Sequence, residues 1–130
     1  MNIIIDCNVF VSAALGSTTC RGVILKAFSQ HQLCYSKESL QELMRVFEKP
    51  KLKKAAARAQ KIIETLKLLG ICIEPVPRES GLPDPDDEVY FSVAVTAKAK
   101  VIVTGNVKHF PKNLCSGVRI LTPREFLDKV

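Results

Sequence analysis

Two short runs of β-branched residues constrain the fold of this 130-residue chain more than any other feature. One is Ile3-Ile4-Ile5 near the N-terminus, and the other is Val101-Ile102-Val103. Neither run alternates apolar with polar residues, which is typical of the central strands of a parallel sheet covered on both faces. A chain with two such strands needs helices on both sides of its sheet.

Segments with helical periodicity separate the predicted strands. We expect strands at residues 2–5, 33–35, 71–73, 101–104 and 118–121. We expect helices at residues 8–15, 21–30, 37–48, 51–69, 84–98 and from 122 onward. Because strands and helices alternate and no hairpin signal joins two strands, the pattern predicts a three-layer α/β/α domain. Its central sheet is expected to be mostly parallel, with four to five strands, in a single domain of residues 1–130.

Several helix ends carry their own signals. Ser36 is the expected N-cap of helix 37–48, and Asp84 followed by proline is a typical start for helix 84–98. Thr122 and Glu125 form the pattern of a capping box. Gly70 is expected to stop helix 51–69 as its C′ residue.

The formal net charge of +6 is concentrated in one part of the chain. Residues 45–67 contain eight basic and two acidic side chains, so this segment carries a charge equal to the whole excess. Such asymmetry favours a polyanionic partner. One face of the predicted helix 51–69 carries a basic stripe of Lys51, Lys54, Arg58 and Lys61. This stripe either contacts the polyanionic partner or is simply the solvated face of the helix.

Five widely spaced cysteines, with no C-x-x-C pair, favour neither a zinc site nor a disulfide framework, and they indicate a reducing, cytoplasmic environment. Cys7 would need His31 or His109 as a base to act as a nucleophile, so a small packing residue is the preferred interpretation. No apolar run approaches the roughly 20 residues of a membrane helix, and the N-terminus lacks a basic signal region. We therefore expect no membrane partner.

Acidic residues from separate parts of the chain are expected to meet at one edge of the sheet. Asp6 directly follows the first strand, Glu42 lies in helix 37–48, and Asp87 lies at the start of helix 84–98. Loops after the carboxyl ends of parallel strands form the sites of open α/β sheets. Carboxylates gathered without basic partners repel one another, so a divalent cation is their natural ligand. This points toward metal-dependent phosphodiester chemistry.

Each acid also has a purely structural interpretation. Asp6 could cap the helix that begins near Asn8, and Glu42 could be solvated or could close a capping box with Ser39. The acids at 84–88 could offset the dipole of the helix they begin. Helical spacing places Asp87 on the inner face of that helix, whereas Glu88 is expected to be solvated.

Four motifs in a fixed order together resemble the PIN-domain ribonuclease family, most closely its small VapC-like toxins of toxin–antitoxin pairs. The resemblance spans residues 2–126. The motifs are Ile-Ile-Ile-Asp6-Cys-Asn8-x-x-x-Ser12, Ser39-x-x-Glu42-Leu, Asp84-Pro-Asp-Asp87, and Val-Ile-Val-Thr104-Gly-Asn106.

This resemblance implies an endoribonuclease that depends on Mg²⁺ or Mn²⁺. It implies that Asp6, Glu42 and Asp87 are the catalytic, metal-binding acids. The matching supporting polar positions are Asn8, Ser12 and Thr104. Asn106 stands where the family usually has a fourth aspartate, so a neutral amide oxygen replaces a charged ligand there. Asp84 lies on the same loop edge and could compensate.

The resemblance further implies an RNA substrate and an antitoxin protein as a partner. A small α/β domain with several apolar helices is expected to expose an apolar patch, so we also expect a homo-oligomer, a dimer in its simplest form. The chain has few aromatic residues, so base stacking is a poor source of specificity and the stripe Lys51, Lys54, Arg58 and Lys61 is the candidate RNA contact. Lys108 and His109 either contact a phosphate or are solvated loop residues. Asn106 leaves open a catalytically reduced PIN-fold module that binds RNA or protein. A phosphatase or a 5′ nuclease acting on DNA is a third possibility.

Overall fold

A computed structural model of the chain describes residues 1–77, 80–115 and 117–130. A parallel five-stranded sheet runs through it in the order β3-β2-β1-β4-β5. The strands are β1 (Asn2–Ile5), β2 (Gln32–Tyr35), β3 (Ile71–Cys72), β4 (Val101–Val103) and β5 (Arg119–Leu121). The parallel sheet predicted from the β-branched runs is confirmed, with β1 and β4 side by side near its centre.

Helices connect the strands. They are α1 (Cys7–Ala14), α2 (Thr18–Gln30), α3 (Lys37–Phe47), α4 (Ala56–Leu69), α5 (Glu88–Thr96) and α6 (Pro123–Lys129). Short 3₁₀ helices cover Pro50–Ala55, Pro85–Asp87 and Val107–His109. The capping box of Thr122 and Glu125 is present at α6. The start of α2 was predicted too late, because the hydroxyl of Ser17 accepts a hydrogen bond from the amide of Cys20 and begins the helix there.

Two apolar clusters, one on each face of the sheet, account for the three layers. Ile3 and Ile5 pack with α1, α2, α3, α4 and α6, whereas Ile4 packs with α5 on the other face. Successive side chains of a strand point to opposite faces, so an unbroken apolar run fills both clusters. Leu82, from the segment before α5, and Phe110, from the loop after β4, complete the second cluster.

The prediction of one continuous α-helix over residues 51–69 is wrong. Pro50–Ala55 is a 3₁₀ helix, and only Ala56–Leu69 is α-helical. A 3₁₀ turn has three residues, so it places Leu52 and Ala55 above one another, and both are buried. Leu69 at the other end is exposed instead of lying on the predicted apolar stripe.

Gly70 ends α4 for a different reason from the one predicted. Its backbone is extended (φ −76°, ψ 163°) and not left-handed, so it is not a C′ residue of the usual kind. A Cβ atom at this position would lie 2.5 Å from the carbonyl oxygen of Leu66 and 2.9 Å from Cε1 of Tyr35. Close packing against α4 and β2 therefore requires glycine here.

Across the part of the chain that the structure describes, no single helix is both long enough and apolar enough to cross a membrane. Taken together, α1 and α2 meet that criterion of length and composition, but the chain bends by 120° between them.

Candidate metal centre

The candidate site lies next to β1, where the direction in which the chain adds strands to the sheet reverses. From β1 the chain adds β2 and β3 on one side of the sheet and then β4 and β5 on the other. In open α/β sheets, ligands bind outside the carboxyl ends of the strands at such a point. Asp6 lies there, directly after β1, and its backbone amide donates a hydrogen bond of 2.9 Å to the carbonyl oxygen of Val103 in β4.

Two side chains hold the buried Asp6 carboxylate. The hydroxyl of Thr104 and the amide Nδ2 of Asn8 donate hydrogen bonds to its Oδ2 atom, at 2.8 and 3.0 Å. These donors are fixed in turn, because the amide of Gly105 donates to Oδ1 of Asn8 and the amide of Asn106 donates to Thr104. Within the described ranges, Ser12 makes no side-chain hydrogen bond to Asp6. Only one carboxylate oxygen of Asp6 is thus engaged by these side chains.

The capping interpretations of Asp6 and Glu42 do not hold. Asp6 occupies the N-cap position of α1, but its side chain accepts no capping hydrogen bond. At α3 the capping box joins Ser36 and Ser39, whose side chains each accept a bond from the other's backbone amide. Glu42 therefore closes no capping box, and its half-buried carboxylate is available for another role.

Asp87 reaches the site from the opposite side of the sheet edge. It ends the 3₁₀ helix that Asp84 caps, and it is buried, as its helical spacing predicted. Its Oδ2 atom lies 2.9 Å from Nδ1 of His109. One carboxylate oxygen of Asp84 belongs to the same group, because ligand atoms of Asp84, Asp87 and His109 all lie within 4.8 Å of one another.

The charge of Asp6 acts on both of the other predicted acids. Burial raises the pKa of Asp87 to about 6, and the negative charges of Asp6 and Asp84 add to that effect. Burial also raises the pKa of Asp6 and of Glu42, and the charge of Asp6 raises the pKa of Glu42 further. In residues 1–77, 80–115 and 117–130, no lysine or arginine forms an ion pair with any of the three. We call Asp6, Glu42 and Asp87 the carboxylate cluster.

Tyr90 adds a buried hydroxyl without a partner beside this cluster. Its side chain is 3% exposed, and its Oη atom lies near Cys7 and Glu42 but makes no hydrogen bond of ordinary geometry. The ring borders a cavity of about 10 Å³, which suits at most one water molecule. Burial, followed by the charge of Glu42, raises the pKa of the Cys7 thiol to about 11, so Cys7 is a poor nucleophile at neutral pH.

The prediction that Glu88 is solvated is wrong. Its Oε1 atom accepts hydrogen bonds from the backbone amides of Ser80 and Leu82, at 2.8 and 3.3 Å. Glu88 therefore fixes the loop that leads to Asp84 and Asp87. Asp86, between these two acids, is exposed.

A groove of about 1270 Å³ lies beside the cluster, between the start of α3, the segment after β3 and the start of α5. Glu42 and Asp86 are on its wall, together with Lys37 and Arg45. The groove lining includes none of the predicted basic stripe, Lys51, Lys54, Arg58 and Lys61.

The stripe residues are exposed, and one of them has a structural contact. Nη1 of Arg58 donates a hydrogen bond of 3.2 Å to the carbonyl oxygen of Ala14, at the end of α1. Arg58 thus satisfies one of the free carbonyls of that helix. Asn106, the predicted weak ligand, is exposed, and its backbone carbonyl accepts a bond from the amide of His109.

Sequence reasoning missed the positions of His109, Tyr90, Lys37 and Arg45. Nothing in the sequence distinguishes His109 from a solvated loop residue, because its contact with Asp87 joins residues 22 positions apart. A signal for Tyr90 did exist, since it lies three residues after Asp87 and hence on the same side of the helix.

Comparisons with known proteins agree with this architecture. A solved structure, described as the crystal structure of VapBC2 from Rickettsia felis bound to a DNA fragment from their promoter, contains a chain with a similar fold. The TM-score is 0.65 at 15% sequence identity, over 94% of this chain and 98% of that chain. A search of curated proteins finds no match. The family model of the PIN domain matches residues 2–108. Because this match covers most of the sequence, the chain belongs to the PIN domain family.

Proposed function

We propose that this protein is a divalent-metal-dependent endoribonuclease, the cytoplasmic toxin of a toxin–antitoxin pair. The observation that supports this most is the carboxylate cluster itself. Asp6, Glu42 and Asp87 come from three separate elements, burial raises the pKa of each, and the charge of Asp6 raises the pKa of the other two, with no ion pair to lysine or arginine in the described chain.

The donor set fits Mg²⁺ or Mn²⁺. Both ions prefer hard oxygen ligands, and Mg²⁺ keeps several of its waters in protein sites. The carboxylates of Asp6, Glu42 and Asp87 offer such ligands. The unpartnered Tyr90 hydroxyl suits a water held beside Glu42. A metal ion there would also compensate for the buried negative charge.

Each residue has a distinct task in the proposed hydrolysis. Asp6 and Asp87 would hold the metal, and Glu42 would hold it directly or through a water. Asn8 and Thr104 fix the rotamer of Asp6 by donating to its Oδ2 atom, which would hold the carboxylate in place for the ion. The bound metal would supply a water of lowered pKa and would offset charge on the phosphate oxygens.

The groove beside the cluster suits an RNA strand. Lys37 and Arg45 stand on the same wall as Glu42 and can neutralise phosphates next to the cleavage site. The stripe of Lys51, Lys54, Arg58 and Lys61 would extend this contact along the backbone. An antitoxin segment would inhibit the enzyme by covering the groove, and we expect the chain to act as a dimer.

The direct experiment is cleavage of structured RNA by the purified chain with Mg²⁺, with Mn²⁺ and with EDTA. We expect cleavage with either metal and none with EDTA. Asp6→Asn should abolish it, whereas Asp128→Asn, a surface acid on α6, should not. Cleavage that survives EDTA or the Asp6→Asn change would disprove this mechanism.

One observation favours a second candidate, a catalytically reduced module that binds RNA or protein. Asn106 is neutral and exposed, so this position adds no negative charge for a metal. Such a module would bind RNA equally well with and without EDTA and would cut nothing. Running RNA and DNA oligonucleotides side by side in the same assay also tests the third candidate, a phosphatase or 5′ nuclease acting on DNA.

A further inference from the structure

His109 is the one basic side chain in contact with the carboxylate cluster among the residues that the structure describes. Its Nδ1 atom lies 2.9 Å from Oδ2 of Asp87, and its charge also lowers the pKa of Asp6. Its backbone is fixed by the short helix Val107–His109, in which its amide donates to the carbonyl oxygen of Asn106. The imidazole is thus carried by a fixed backbone and contacts Asp87 directly.

The distances in this group match those between ligands of one metal ion. Two neighbouring ligands of an octahedral ion, each at roughly 2.1 Å, are roughly 3 Å apart, and opposite ligands are roughly 4.2 Å apart. The Nδ1–Oδ2 distance of 2.9 Å therefore fits two neighbouring ligands. The third member, an oxygen of Asp84, lies within 4.8 Å of both, so a small movement would bring it into the same coordination shell.

We propose that His109 is a nitrogen ligand of the metal centre, bound together with Asp87 and Asp84. This inference deepens the proposed function and rests on it. An imidazole ligand changes which ion the site prefers. Carboxylate and water ligands suit Mg²⁺, whereas imidazole favours transition metals and raises affinity in the order from Mn²⁺ to Ni²⁺. The centre should therefore bind Mn²⁺ and Ni²⁺ more tightly than Mg²⁺.

A second observation supports a coordinated ion instead of a simple hydrogen bond between two side chains. On the Glu42 side of the carboxylate cluster, the buried Tyr90 hydroxyl makes no hydrogen bond of ordinary geometry, so it can still accept one from, or donate one to, a metal-bound water. A water bound to the metal would complete the hydrogen bonding of this hydroxyl.

The chain contains two histidines, which makes a spectroscopic test unambiguous. The tag-free protein is loaded with Mn²⁺, and electron spin-echo modulation is recorded for the unchanged chain, His109→Gln and His31→Gln. We expect a ¹⁴N coupling from a directly bound imidazole in the unchanged chain and in His31→Gln, and its loss in His109→Gln. Circular dichroism of each variant checks that it is folded.

Affinity gives a second readout. His109→Gln should weaken Ni²⁺ binding by about 10- to 100-fold and Mg²⁺ binding by less than about 3-fold, measured by calorimetry. Bound Mn²⁺ without a nitrogen coupling, or a coupling that persists in His109→Gln, would overturn the proposal. A higher KM for RNA without any change in metal binding would instead identify His109 as a phosphate contact.

The two proposals can fail separately. A nitrogen-coupled Mn²⁺ centre in a chain that cuts no RNA would refute the endoribonuclease and leave the metal ligand. Metal-dependent RNA cleavage without nitrogen coordination would do the reverse. Failure of the chain to bind Mn²⁺ at millimolar concentration would refute both.

Discussion

The carboxylate cluster and the basic segment of residues 45–67 are both concentrations of like charge, yet they differ in every physical respect. The lysines of the basic segment are exposed, and water and salt screen their mutual repulsion. The carboxylates are buried or half-buried, and the pKa of each is raised. Charge repulsion therefore destabilises the fold at the carboxylate cluster but not at the basic segment.

This difference separates a site from a charged surface. Exposed like charges cost little and need no explanation by themselves. Buried like charges disfavour the folded state unless a counter-ion binds, and each unit of pKa shift corresponds to about 1.4 kcal/mol. The cluster is thus the place where a bound cation would contribute most, and the basic segment is the place where substitutions should matter least for stability.

The largest expected effect is on catalysis by Glu42→Gln. It removes a charged ligand while keeping the shape of the side chain, so we expect the kcat/KM for RNA to fall by about 100-fold or more. Glu48→Gln is the matched control, since Glu48 lies at the C-terminal end of α3, is exposed, is not part of the groove lining and should change the rate by less than about 2-fold. Equal losses in both variants would contradict the account.

The next effect is a gain of stability on removing a cluster charge. Without metal, Asp87→Asn should raise the free energy of unfolding by about 1–3 kcal/mol at neutral pH, because a buried carboxylate with a raised pKa is lost. Asp86→Asn, its exposed neighbour, should change stability by less than about 0.5 kcal/mol. Urea unfolding in EDTA measures both. A destabilised Asp87→Asn protein would show that the charge is well compensated.

The same charge predicts the direction of the pH dependence. An acid whose pKa is higher in the folded than in the unfolded chain binds more protons when folded. Lowering the pH therefore favours the folded state. The pKa of Asp87 is about 6 in the folded chain, against an ordinary value of 3.8. The free-energy cost of burying its charge is therefore fully present above about pH 6 and disappears below about pH 3.8. Without metal, stability should rise by about 1 kcal/mol from about pH 7 to about pH 5. Asp87→Asn should flatten this rise, and a fall in stability over the same range would contradict it.

The smallest effects are expected in the basic segment. The triple variant Lys51→Ala, Lys54→Ala, Lys61→Ala should stay within about 0.5 kcal/mol of the original stability, whereas Arg58→Ala should lose about 0.5–1 kcal/mol with its bond to Ala14. If the stripe contacts RNA, the triple variant should also reduce the salt dependence of RNA binding. Lys37→Ala with Arg45→Ala, on the groove wall, provides the comparison. A larger effect from the stripe than from the groove would show that RNA follows α4.

The sequence predicted the sheet and most helices because their signals are local. Apolar and polar residues do not alternate in β1 and β4 because both faces of each strand are covered by an apolar cluster. The 3₁₀ helix of Pro50–Ala55 was not predicted, because the preference for a 3₁₀ over an α-helical conformation depends on burying Leu52 and Ala55 together. That burial is a tertiary effect.

The positions of the candidate acids were predictable where a strand end or a helix face fixes the position of a side chain. Asp6 follows β1 directly, and the spacing of Asp87 placed it on the inner face of its helix. Glu88 and His109 could not be placed in this way, because each contacts a loop whose path depends on the rest of the fold. Contacts of this kind leave no periodic trace in the sequence.

The measurement that tests the central claim most directly is anomalous diffraction from a crystal soaked in Mn²⁺. The account predicts one strong peak at the carboxyl end of β1, within about 2.2 Å of oxygen atoms of both Asp6 and Asp87. An empty position there at millimolar Mn²⁺, or a peak bound only by exposed acids such as Asp86, would contradict it.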